Sequence, residues 1–418
     1  MSRTARSLGR FSASRTRFSR LLLKVMARRL RHGTLTITEG GEPRTYGTTG
    51  ETGLVAELVV LDDLFWSRVL TGAGVGLGQS YFLGEWDSPD LVSVLRLLTL
   101  NLDRINRVPR RLTPITRALR RPFRDLGRPS KSQDRANIAA HYDVGDEFFA
   151  LFLDPSMAYS CAVFPSAAST LAEASKEKFD RICRKLDLGP QDHVIEIGTG
   201  WGGFAIHAAA RYGCRVTTTT ISQKQFFFAT RAVAEAGLSE RVTVLNRDYR
   251  ELEGQFTHLV SIEMIEAVDW RFFETFFAAC ANLLLPNGRA ALQCIVIDDH
   301  EFERYKTRED YIRRYIFPGG GLPSITAMAN AVTRATDFRL TDLEDLGPHY
   351  VRTLDEWREG LDARWLDARA MGFDESFLRR WRFYFAYCSA GFAERHVSVV
   401  QMVLARSEWR GVLVLRSP

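Results

Sequence analysis

The segment VIEIGTGWGG at residues 194–203 constrains the fold of this chain more than any other sequence feature. An apolar run typical of a buried strand leads into Glu196, and glycines then recur at Gly198, Gly200 and Gly202. Glycine lets a backbone turn tightly and approach a ligand, and open α/β sheets bind ligands beside the carboxyl ends of their strands. The segment therefore predicts a strand, a ligand-binding turn and a helix in succession.

Strand and helix patterns alternate on both sides of this turn. Strands are predicted at 193–197, 215–220, 242–245, 258–262 and 290–297, and helices at about 201–211, 222–236 and 270–284. This alternation favours an α/β fold with a mostly parallel, doubly wound sheet. Residues beyond about 300 are mostly helical and aromatic in pattern, and we interpret them as a helical cap on the same domain.

The second predicted strand argues against a nicotinamide-dependent enzyme. A dinucleotide-binding protein carries an acidic residue at the end of this strand, where it binds the ribose. Here the strand reads VTTTTI over 216–221 and has no carboxylate.

The region before residue 135 is organised differently. We predict a basic flexible tail at 1–17, a small α+β domain at 18–105 and a basic linker at 106–134, ahead of the domain at 135–418. Within the small domain the predicted elements are an amphipathic helix at 18–31, strands at 34–38 and 54–61, a glycine-rich turn at 72–78, and a helix at 88–106 capped by Ser88.

Positive charge is concentrated in two blocks of the sequence. The formal net charge is +6, every charged residue before Glu39 is basic, and a second basic stretch covers 104–131. Such blocks suit a polyanion, either nucleic acid or the anionic face of a bilayer. A solvated tail and linker, or an organellar transit peptide at the N-terminus, are the alternatives. No apolar run is long enough to span a bilayer, so membrane contact would be peripheral.

The six cysteines form no CxxC pair and no metal-ligand cluster with histidine. We therefore predict no metal site, and reduced thiols in the cytoplasm are the expected state.

Further short motifs follow one another along the chain. They are GLGQSY at 76–81 with GEW at 84–86, ANI at 136–138 with HYD at 141–143, YSCA at 159–162, TIS at 220–222 with Gln225, DYR at 248–250, YIFPG at 315–319 with LPS at 322–324, and Cys388 with Gly391 and Phe392. With the glycine turn, this series resembles the cyclopropane-fatty-acyl-phospholipid synthase family of class I S-adenosylmethionine-dependent methyltransferases. The resemblance implies a Rossmann-like catalytic domain, S-adenosylmethionine as co-substrate and unsaturated phospholipid acyl chains as acceptor.

The resemblance also implies cofactor roles for individual residues. Tyr159 and Ser160 would close over the methionine moiety. Gly198 and Gly200 would pass beside the cofactor, and Glu196 would anchor the loop or the methionine amine. Thr220 and Gln225 would face the ribose, and Asp248 and Tyr249 would hold the adenine. Ordinary core packing for Tyr249, and a tight turn without a ligand for the glycines, are the plain alternatives.

The chemistry implied by the resemblance requires a base. Attack of an alkene on the methyl sulfonium leaves a carbocation on the acyl chain, so the site must exclude water and remove a proton. Loss of a proton from the new methyl group closes a cyclopropane ring, which is the product we expect. Loss from a neighbouring carbon gives the alternative, a methylene- or methyl-branched chain.

The family is thought to use a bound bicarbonate as this base. Its ligands are a cysteine-region backbone, a glutamate, a histidine and a tyrosine, of which three match Cys161, Glu266 and Tyr350. The histidine is replaced by Gln293, which can donate and accept hydrogen bonds but handles protons less well than imidazole. This departure concerns the product, and it resembles the branch that contains tuberculostearic-acid-type methyltransferases, whose immediate product is a methylene branch.

Cys388 matches a cysteine long discussed as catalytic in this family. Because the reaction needs no covalent intermediate, we favour a buried structural thiol. An acyl tunnel could be lined by the aromatic residues Phe148, Phe149, Phe152, Phe317, Trp381, Phe383, Tyr384 and Phe385, although core packing is the simpler reading of each one.

These inferences predict a cytoplasmic enzyme that sits peripherally on the inner, anionic face of the cell membrane through residues 18–105 and binds no nucleic acid. The sequence leaves the oligomeric state open, with a homodimer as one alternative. A small-molecule methyltransferase and a non-catalytic lipid-binding protein are the rival functions. The first would not need the N-terminal domain, and the second should have lost Tyr159, Glu266 or the glycine turn.

Overall fold

The computed structural model describes residues 16–50, 52–102, 105 and 145–411. The chain divides into two compact units. The first unit lies within Met1–Ser132, Glu309–Ile316 and Leu361–Glu394, and the second within Gln133–Arg308, Phe317–Gly360 and Arg395–Pro418. Of the predicted tail and linker, only residues 16 and 17 are described. Two segments beyond residue 300 thus group with the N-terminal part of the chain, whereas the sequence pattern had placed them in a cap on the catalytic domain.

The described elements are numbered along the chain. The strands are β1 Gly33–Glu39, β2 Glu42–Thr48, β3 Val55–Val60, β4 Trp86–Asp87, β5 His193–Ile197, β6 Arg215–Thr219, β7 Val242–Leu245, β8 Phe256–Ile262, β9 Leu284–Ile297, β10 Arg339–Asp345 and β11 Val397–Ala405. The α-helices are α1 16–27, α2 Leu64–Phe82, α3 Leu91–Leu100, α4 Asp146–Phe149, α5 Leu171–Leu186, α6 Gly203–Tyr212, α7 Gln223–Glu235, α8 Phe273–Asn282, α9 Asp299–Tyr305, α10 Tyr311–Tyr315, α11 Ile325–Ala335, α12 Gly347–Ala363, α13 Trp365–Ala370 and α14 Glu375–Ala393.

The second unit is built on a seven-stranded sheet with the order β10-β11-β9-β8-β5-β6-β7. Strands β5 to β9 are parallel where they pair, and β10 and β11 run antiparallel to their neighbours. Alternate residues of the central strands enter different hydrophobic clusters, since Ile195 and Leu259 join one and Val194 and Val260 join the other. Both faces are therefore covered, as a parallel sheet requires, and the predicted α/β class is confirmed.

The first unit contains a four-stranded sheet with the order β2-β1-β3-β4. Its core includes Trp66, Tyr81 and Trp86, which are at most 1 % exposed. An apolar side chain of this size stabilises a fold by about 2–3 kcal/mol when fully buried. Helix α14 belongs to the same core, because Phe383 packs 5.6 Å from Tyr81 and Arg379 donates to the Tyr81 carbonyl at 2.8 Å.

Helix α2 reverses direction near Ala73, whose φ of 48° is not helical. A Cβ at Gly76 would lie 2.1 Å from the Arg68 carbonyl oxygen, so the two halves of α2 touch. Gly78 is equally constrained, because its Cβ would lie 2.3 Å from the Tyr311 ring. The motif GLGQSY therefore serves close packing in the first unit, and the reversal falls at the start of the predicted turn.

Several sequence-based boundaries in the first unit need correction. The second predicted helix is shorter, as α3 begins after Asp90, whose carboxylate accepts the Ser93 N–H at 3.0 Å. Ser88 does not cap it and donates instead to the Glu57 carbonyl at 2.7 Å. Strand β2 was missed because it is an edge strand whose side chains are mostly exposed, so it lacks an apolar pattern.

Candidate active site

The glycine turn follows β5 and has the backbone that its sequence predicts. Gly198, Gly200 and Gly202 have φ values of 101°, 53° and 93°, a region that favours glycine. The Gly198 and Thr199 N–H groups donate to the Thr219 carbonyl at 3.1 and 3.0 Å, which fixes the turn against β6. No atom lies within 4 Å of a Cβ built on Gly200, so the turn faces open space where a ligand can approach.

Glu196 lies beneath this turn and is 2 % exposed. Its carboxylate accepts a hydrogen bond from the Thr218 hydroxyl at 2.6 Å, and Thr218 lies 2.7 Å from the Thr199 hydroxyl. Burial raises the pKa of Glu196 to about 8. Of the two roles implied for this residue, the contacts favour an anchor for the loop.

The residues assigned to the ribose and adenine follow β6 and β7. The Thr220 hydroxyl donates to the Gln225 side-chain oxygen at 2.8 Å, and both residues are buried. The Asp248 carboxylate accepts from the Arg250 backbone N–H at 3.0 Å and from its guanidinium at 2.8 and 2.6 Å. The Tyr249 ring lies 5.4 Å from Phe276 at the edge of the core. Thr220, Gln225, Asp248 and Tyr249 thus all follow the carboxyl ends of β6 and β7.

Tyr159 lies in an aromatic cluster. Its ring centroid is 5.1 Å from those of Phe149 and Trp357 and 6.4 Å from that of Phe317. Four members of the suggested tunnel, Phe148, Phe149, Phe152 and Phe317, belong to this unit, whereas Trp381, Phe383, Tyr384 and Phe385 lie on α14 in the first unit.

Ser160 has a partner that the sequence did not reveal. Its hydroxyl accepts a hydrogen bond from Lys178 Nζ at 2.6 Å, and Lys178 is fully buried in α5. Burial lowers the pKa of Lys178, although the carboxylates of Glu263 and Asp154 oppose that shift. A lysine on an amphipathic helix is usually solvated, so only the three-dimensional structure identifies it.

Three of the predicted catalytic residues converge on Glu263, which directly follows β8. Its Oε1 accepts the Cys161 backbone N–H and the Gln293 amide, both at 2.8 Å. Its Oε2 accepts the Tyr350 hydroxyl at 2.6 Å. The groups assigned by resemblance to a bicarbonate are therefore hydrogen-bonded to a carboxylate of the chain itself.

The surroundings of Glu263 hold that carboxylate in place. Its backbone N–H donates to the Gln293 carbonyl at 2.7 Å, and its φ of 49° is unfavourable for a residue with a Cβ. Gln401 donates to the Gln293 side-chain oxygen at 3.0 Å, which leaves the Gln293 amide nitrogen directed at Glu263 and at the Cys161 carbonyl. Such strain costs about 1–3 kcal/mol and often marks a functional residue.

Burial raises the pKa of Glu263 and makes it a better proton acceptor than an exposed carboxylate. The hydrogen bonds from Tyr350, Gln293 and Cys161, and the charge of Lys178, oppose this shift. The raised pKa gives this carboxylate a higher affinity for a proton than an exposed carboxylate has.

Glu266, the carboxylate we predicted for this cluster, makes different contacts. Its Oε1 accepts the Ile295 N–H at 2.5 Å, and its Oε2 is buried without a hydrogen-bond partner in the described part of the chain. Burial, with the negative charge of Glu263, raises the pKa of Glu266 to about 8. No hydrogen bond among the described residues joins Glu266 to Cys161, Gln293 or Tyr350.

The two matched cysteines have little thiolate character. Burial raises the pKa of Cys161 far above its usual range, and the adjacent Glu263 charge adds to the effect. Burial also raises the pKa of Cys388, which lies on α14 in the first unit. Cys161 contributes its backbone N–H to the cluster, and Cys388 has the features of a structural thiol.

Comparison with known proteins identifies the chain's relatives. Residues 129–402 match the family described as mycolic acid cyclopropane synthetase. The tuberculostearic acid methyltransferase UfaA1 of Mycobacterium tuberculosis is 41% identical over 342 residues, which are 79% of each chain. The cyclopropane-fatty-acyl-phospholipid synthase of Escherichia coli is 33% identical over 364 residues, 86% of this chain and 91% of that one.

Solved structures agree with this assignment. The cyclopropane synthase MmaA2 of Mycobacterium tuberculosis superposes with a TM-score of 0.61 and 31% identity over 65% of this chain and 97% of its own. The mycolic acid cyclopropane synthase CmaA1 complexed with S-adenosylhomocysteine (SAH) and CTAB gives a TM-score of 0.61 and 32% identity with the same coverage. This chain therefore belongs to the mycolic acid cyclopropane synthetase family and is an S-adenosylmethionine-dependent methyltransferase.

Proposed function

We propose that this enzyme adds a one-carbon unit from S-adenosylmethionine to the cis double bond of an unsaturated phospholipid acyl chain and releases a methylene-branched chain. Glu263 carries the proposal, because it occupies the hydrogen-bonding groups that the resemblance assigned to bicarbonate. The base is then part of the protein. Cyclopropane formation, the product expected from the sequence, becomes the second candidate and is favoured by the similarity to the Escherichia coli synthase.

The residues beside the turn fit the co-substrate. Gly200 leaves open space for close approach of a ligand, and Thr220, Gln225 and Tyr249 lie along the same edge of the sheet. When bound, S-adenosylmethionine supplies an electrophilic methyl group. The aromatic cluster around Tyr159 keeps water away from the carbocation, which water would otherwise trap as an alcohol.

Glu263 would complete the reaction as the base. The alkene carbon forms a bond to the methyl carbon while the S–C bond breaks and its electrons stay on sulfur. A hydride then moves from the methyl-bearing carbon to the neighbouring cationic carbon, which places the cation on the branched carbon. The Glu263 carboxylate takes a proton from the new methyl group, and the C–H electrons form the C=CH₂ double bond. A methylene branch, unlike a methyl branch with a double bond within the chain, requires that the proton come from the new methyl group. Tyr350, Gln293 and the Cys161 N–H fix the carboxylate while it acts, and Lys178 lowers the cost of its negative charge.

Two features slow removal of the methyl proton and so allow the hydride shift that leads to the methylene branch instead of ring closure. A carboxylate tethered to the end of β8 cannot follow the methyl group as a small free anion could. The family's imidazole is also replaced by the Gln293 amide, which does not take up a proton at neutral pH. The similarity to a tuberculostearic acid methyltransferase supports the same product.

Helix α1 supports the proposal that the acceptor lies in an anionic membrane. Its basic residues Arg20 and Lys24 bind Glu39 of β1 at 2.9 and 2.8 Å, so the opposite face points outward.

On the outward face of α1, Phe18, Leu21 and Val25 are 42%, 65% and 38% exposed. Arg17, Arg28 and Arg29 are exposed as well. An exposed apolar stripe flanked by arginines suits the interface of an anionic bilayer. None of the described helices is both long enough and apolar enough to cross that bilayer.

Expression in a host rich in mono-unsaturated phospholipids tests the proposed product. Both candidate products add the same mass, so proton NMR of the purified fatty acids must separate vinylidene protons from cyclopropane protons. We expect vinylidene signals that disappear on mild hydrogenation. Cyclopropane signals alone would reject the branched product, and unmodified acyl chains would reject the acceptor. An inactive Gly200→Val variant provides the background.

A further inference from the structure

Arg380 of α14 has no hydrogen bond or ion pair on its guanidinium within the described residues, and its Nε is buried. Its guanidinium carbon lies 4.9 Å from the Phe82 ring and 5.9 Å from the Tyr315 ring. A buried arginine donor normally has a partner, because leaving it unsatisfied costs free energy. Arg380 is therefore a candidate binding residue for an anion.

Other arginines surround the same tyrosine, and each already has a carboxylate. Arg68 binds Glu85 with both Nε and Nη2, at distances from 2.6 to 3.0 Å. Arg314 binds Glu309 at 2.9 Å. Both guanidiniums lie close enough to Tyr315 that they, with Arg380, favour ionisation of its hydroxyl, although burial outweighs them and raises the pKa of Tyr315. The surroundings of Tyr315 are therefore rich in guanidinium groups, and Arg380 is the one of these three arginines with no counter-ion among the described residues.

Exposed leucines border this cluster. Leu83, next to Phe82, is 49% exposed, and Leu61 and Leu64 are 61% and 46% exposed. Leu61 adjoins the cluster through its backbone N–H, which donates to the Glu85 carbonyl at 2.9 Å. A ligand with an anionic group and adjoining apolar chains would match both features. A free phosphate or nucleotide would use only the arginine.

We infer that Arg380, with Tyr315, binds the phosphodiester of a glycerophospholipid. The inference rests on the proposed function and deepens it by naming a residue that recognises the phosphate of the acceptor lipid. Arginine presents a planar set of donors that matches two phosphate oxygens, and its stacking on Phe82 and Tyr315 holds that plane. The residue would select phospholipid over a neutral lipid with identical acyl chains.

Methyl transfer to two lipids tests this inference. Dioleoylphosphatidylcholine and dioleoylglycerol, each in mixed micelles of a neutral detergent, carry the same chains with and without a phosphate. We expect the wild type to prefer the phospholipid and Arg380→Gln to raise KM for it about tenfold or more, the scale of a lost charge-assisted hydrogen bond, with kcat and S-adenosylmethionine affinity unchanged. Arg380→Lys keeps the charge without the planar fork and should fall between them.

A matched control and three further outcomes make the test decisive. Arg364→Gln removes an exposed arginine of the same unit that pairs with Asp367, and it should leave the lipid preference intact. Unchanged KM values for both Arg380 variants, with native thermal melting, would overturn the inference while leaving the proposed function standing. Transfer to neither lipid by the wild type would instead reject the proposed function. Inhibition by inorganic phosphate, lost in Arg380→Gln without any change in lipid preference, would assign the site to free phosphate and overturn the lipid assignment.

Discussion

At the scale of single residues, the carboxylate of Glu263 determines what its neighbours can do. It accepts hydrogen bonds from Cys161, Gln293 and Tyr350, so an added anion would have to displace it. Glu263→Gln keeps the shape but cannot accept a proton, and we expect turnover to fall by about 10²-fold or more with S-adenosylmethionine affinity retained. Glu266→Gln is the matched control and should cost much less. Single-turnover kinetics and calorimetry on both variants provide the comparison, and the reverse order of effects would return the role to Glu266.

A second variant separates loss of the base from loss of structure. Glu263→Ala leaves the Cys161 N–H, the Gln293 amide and the Tyr350 hydroxyl without their acceptor, a donor set that can hold a small carboxylate-like anion. Added bicarbonate should therefore restore part of the turnover of Glu263→Ala and none of that of Glu263→Gln, whose side chain still fills the space. Equal responses of the two variants would argue against Glu263 as the proton acceptor.

Substitution of Gln293 tests what determines the product of the reaction. It bridges Glu263 and the Cys161 carbonyl and is oriented by Gln401. Gln293→His restores the imidazole of the family pattern and supplies a group that can take up a proton, so we expect the ratio of cyclopropane to methylene-branched product to rise. NMR of fatty acids from cells expressing each form, on the same lipid background, measures this ratio. If the ratio stays constant at normal turnover, the lie of the acyl chain sets the product.

Glu196 links the site to stability. Because its pKa rises from 4.5 to about 8 on folding, the folded state binds more protons than the unfolded state between these values. Its contribution to the free energy of unfolding is therefore largest below pH 4.5 and decreases as the pH rises towards 8, by an amount on the order of a few kcal/mol. Glu196→Gln, which is neutral at every pH, should flatten this part of the curve. Urea unfolding from pH 5 to 8 provides the test, and parallel curves for the two proteins would contradict it.

At the scale of elements, the exposed face of α1 can be tested directly. Leu21→Ser with Val25→Ser removes exposed apolar area from side chains that lie outside the core, so the fold should be little affected. Binding to vesicles that contain anionic lipid should fall, and wild-type binding should weaken with added salt because exposed charges are screened within about 10 Å at 0.1 M. Leu366→Ser, at a residue 81% exposed elsewhere in the first unit, is the control. Equal binding by all forms would exclude α1 from docking.

The strands also show which elements could be predicted from the sequence and which could not. Strands β5, β6 and β7 were predicted to within a residue because each is rich in valine, isoleucine or threonine, the β-branched residues that favour strands. β10 was missed, since its sequence RLTDLED is mostly exposed and charged at the sheet edge. β11 lies between β9 and β10. That pairing depends on long-range contacts which a local pattern does not contain.

Long-range contacts also explain which active-site residues the sequence predicted and which it missed. The series of motifs identified Cys161, Gln293 and Tyr350 as site residues although they are far apart in sequence. It could do so because the family resemblance contains information about the three-dimensional arrangement. The resemblance assigned the carboxylate of the catalytic cluster to Glu266, since that glutamate occupies the position that matches the family's glutamate. Glu263 lies within the same short stretch, and only the path of the backbone after β8 shows which of the two side chains meets the cluster.

At the scale of the whole molecule, the first unit is assembled from segments distant in sequence. Helix α14 packs on α2 and α3, and Arg379 donates to the Trp86 carbonyl and binds the Asp87 carboxylate, both at 3.0 Å. The N-terminal segment is therefore a structural part of a unit that the end of the chain completes. This arrangement differs from a membrane-binding domain that could be removed without consequence.

Truncation distinguishes these two arrangements. A chain that begins at Gln133 would lose the partners of α14 and expose buried side chains such as Phe383, which packs 5.6 Å from Tyr81. Exposing several large aromatic residues at about 2–3 kcal/mol each approaches the whole stability of a typical domain. We therefore expect the truncated chain to aggregate or to melt well below the full-length protein, and co-expression of residues 1–132 as a separate chain to restore solubility. A truncated chain that melts cooperatively at the full-length temperature would show that 133–418 folds independently, with α14 stabilised by the remainder of the chain.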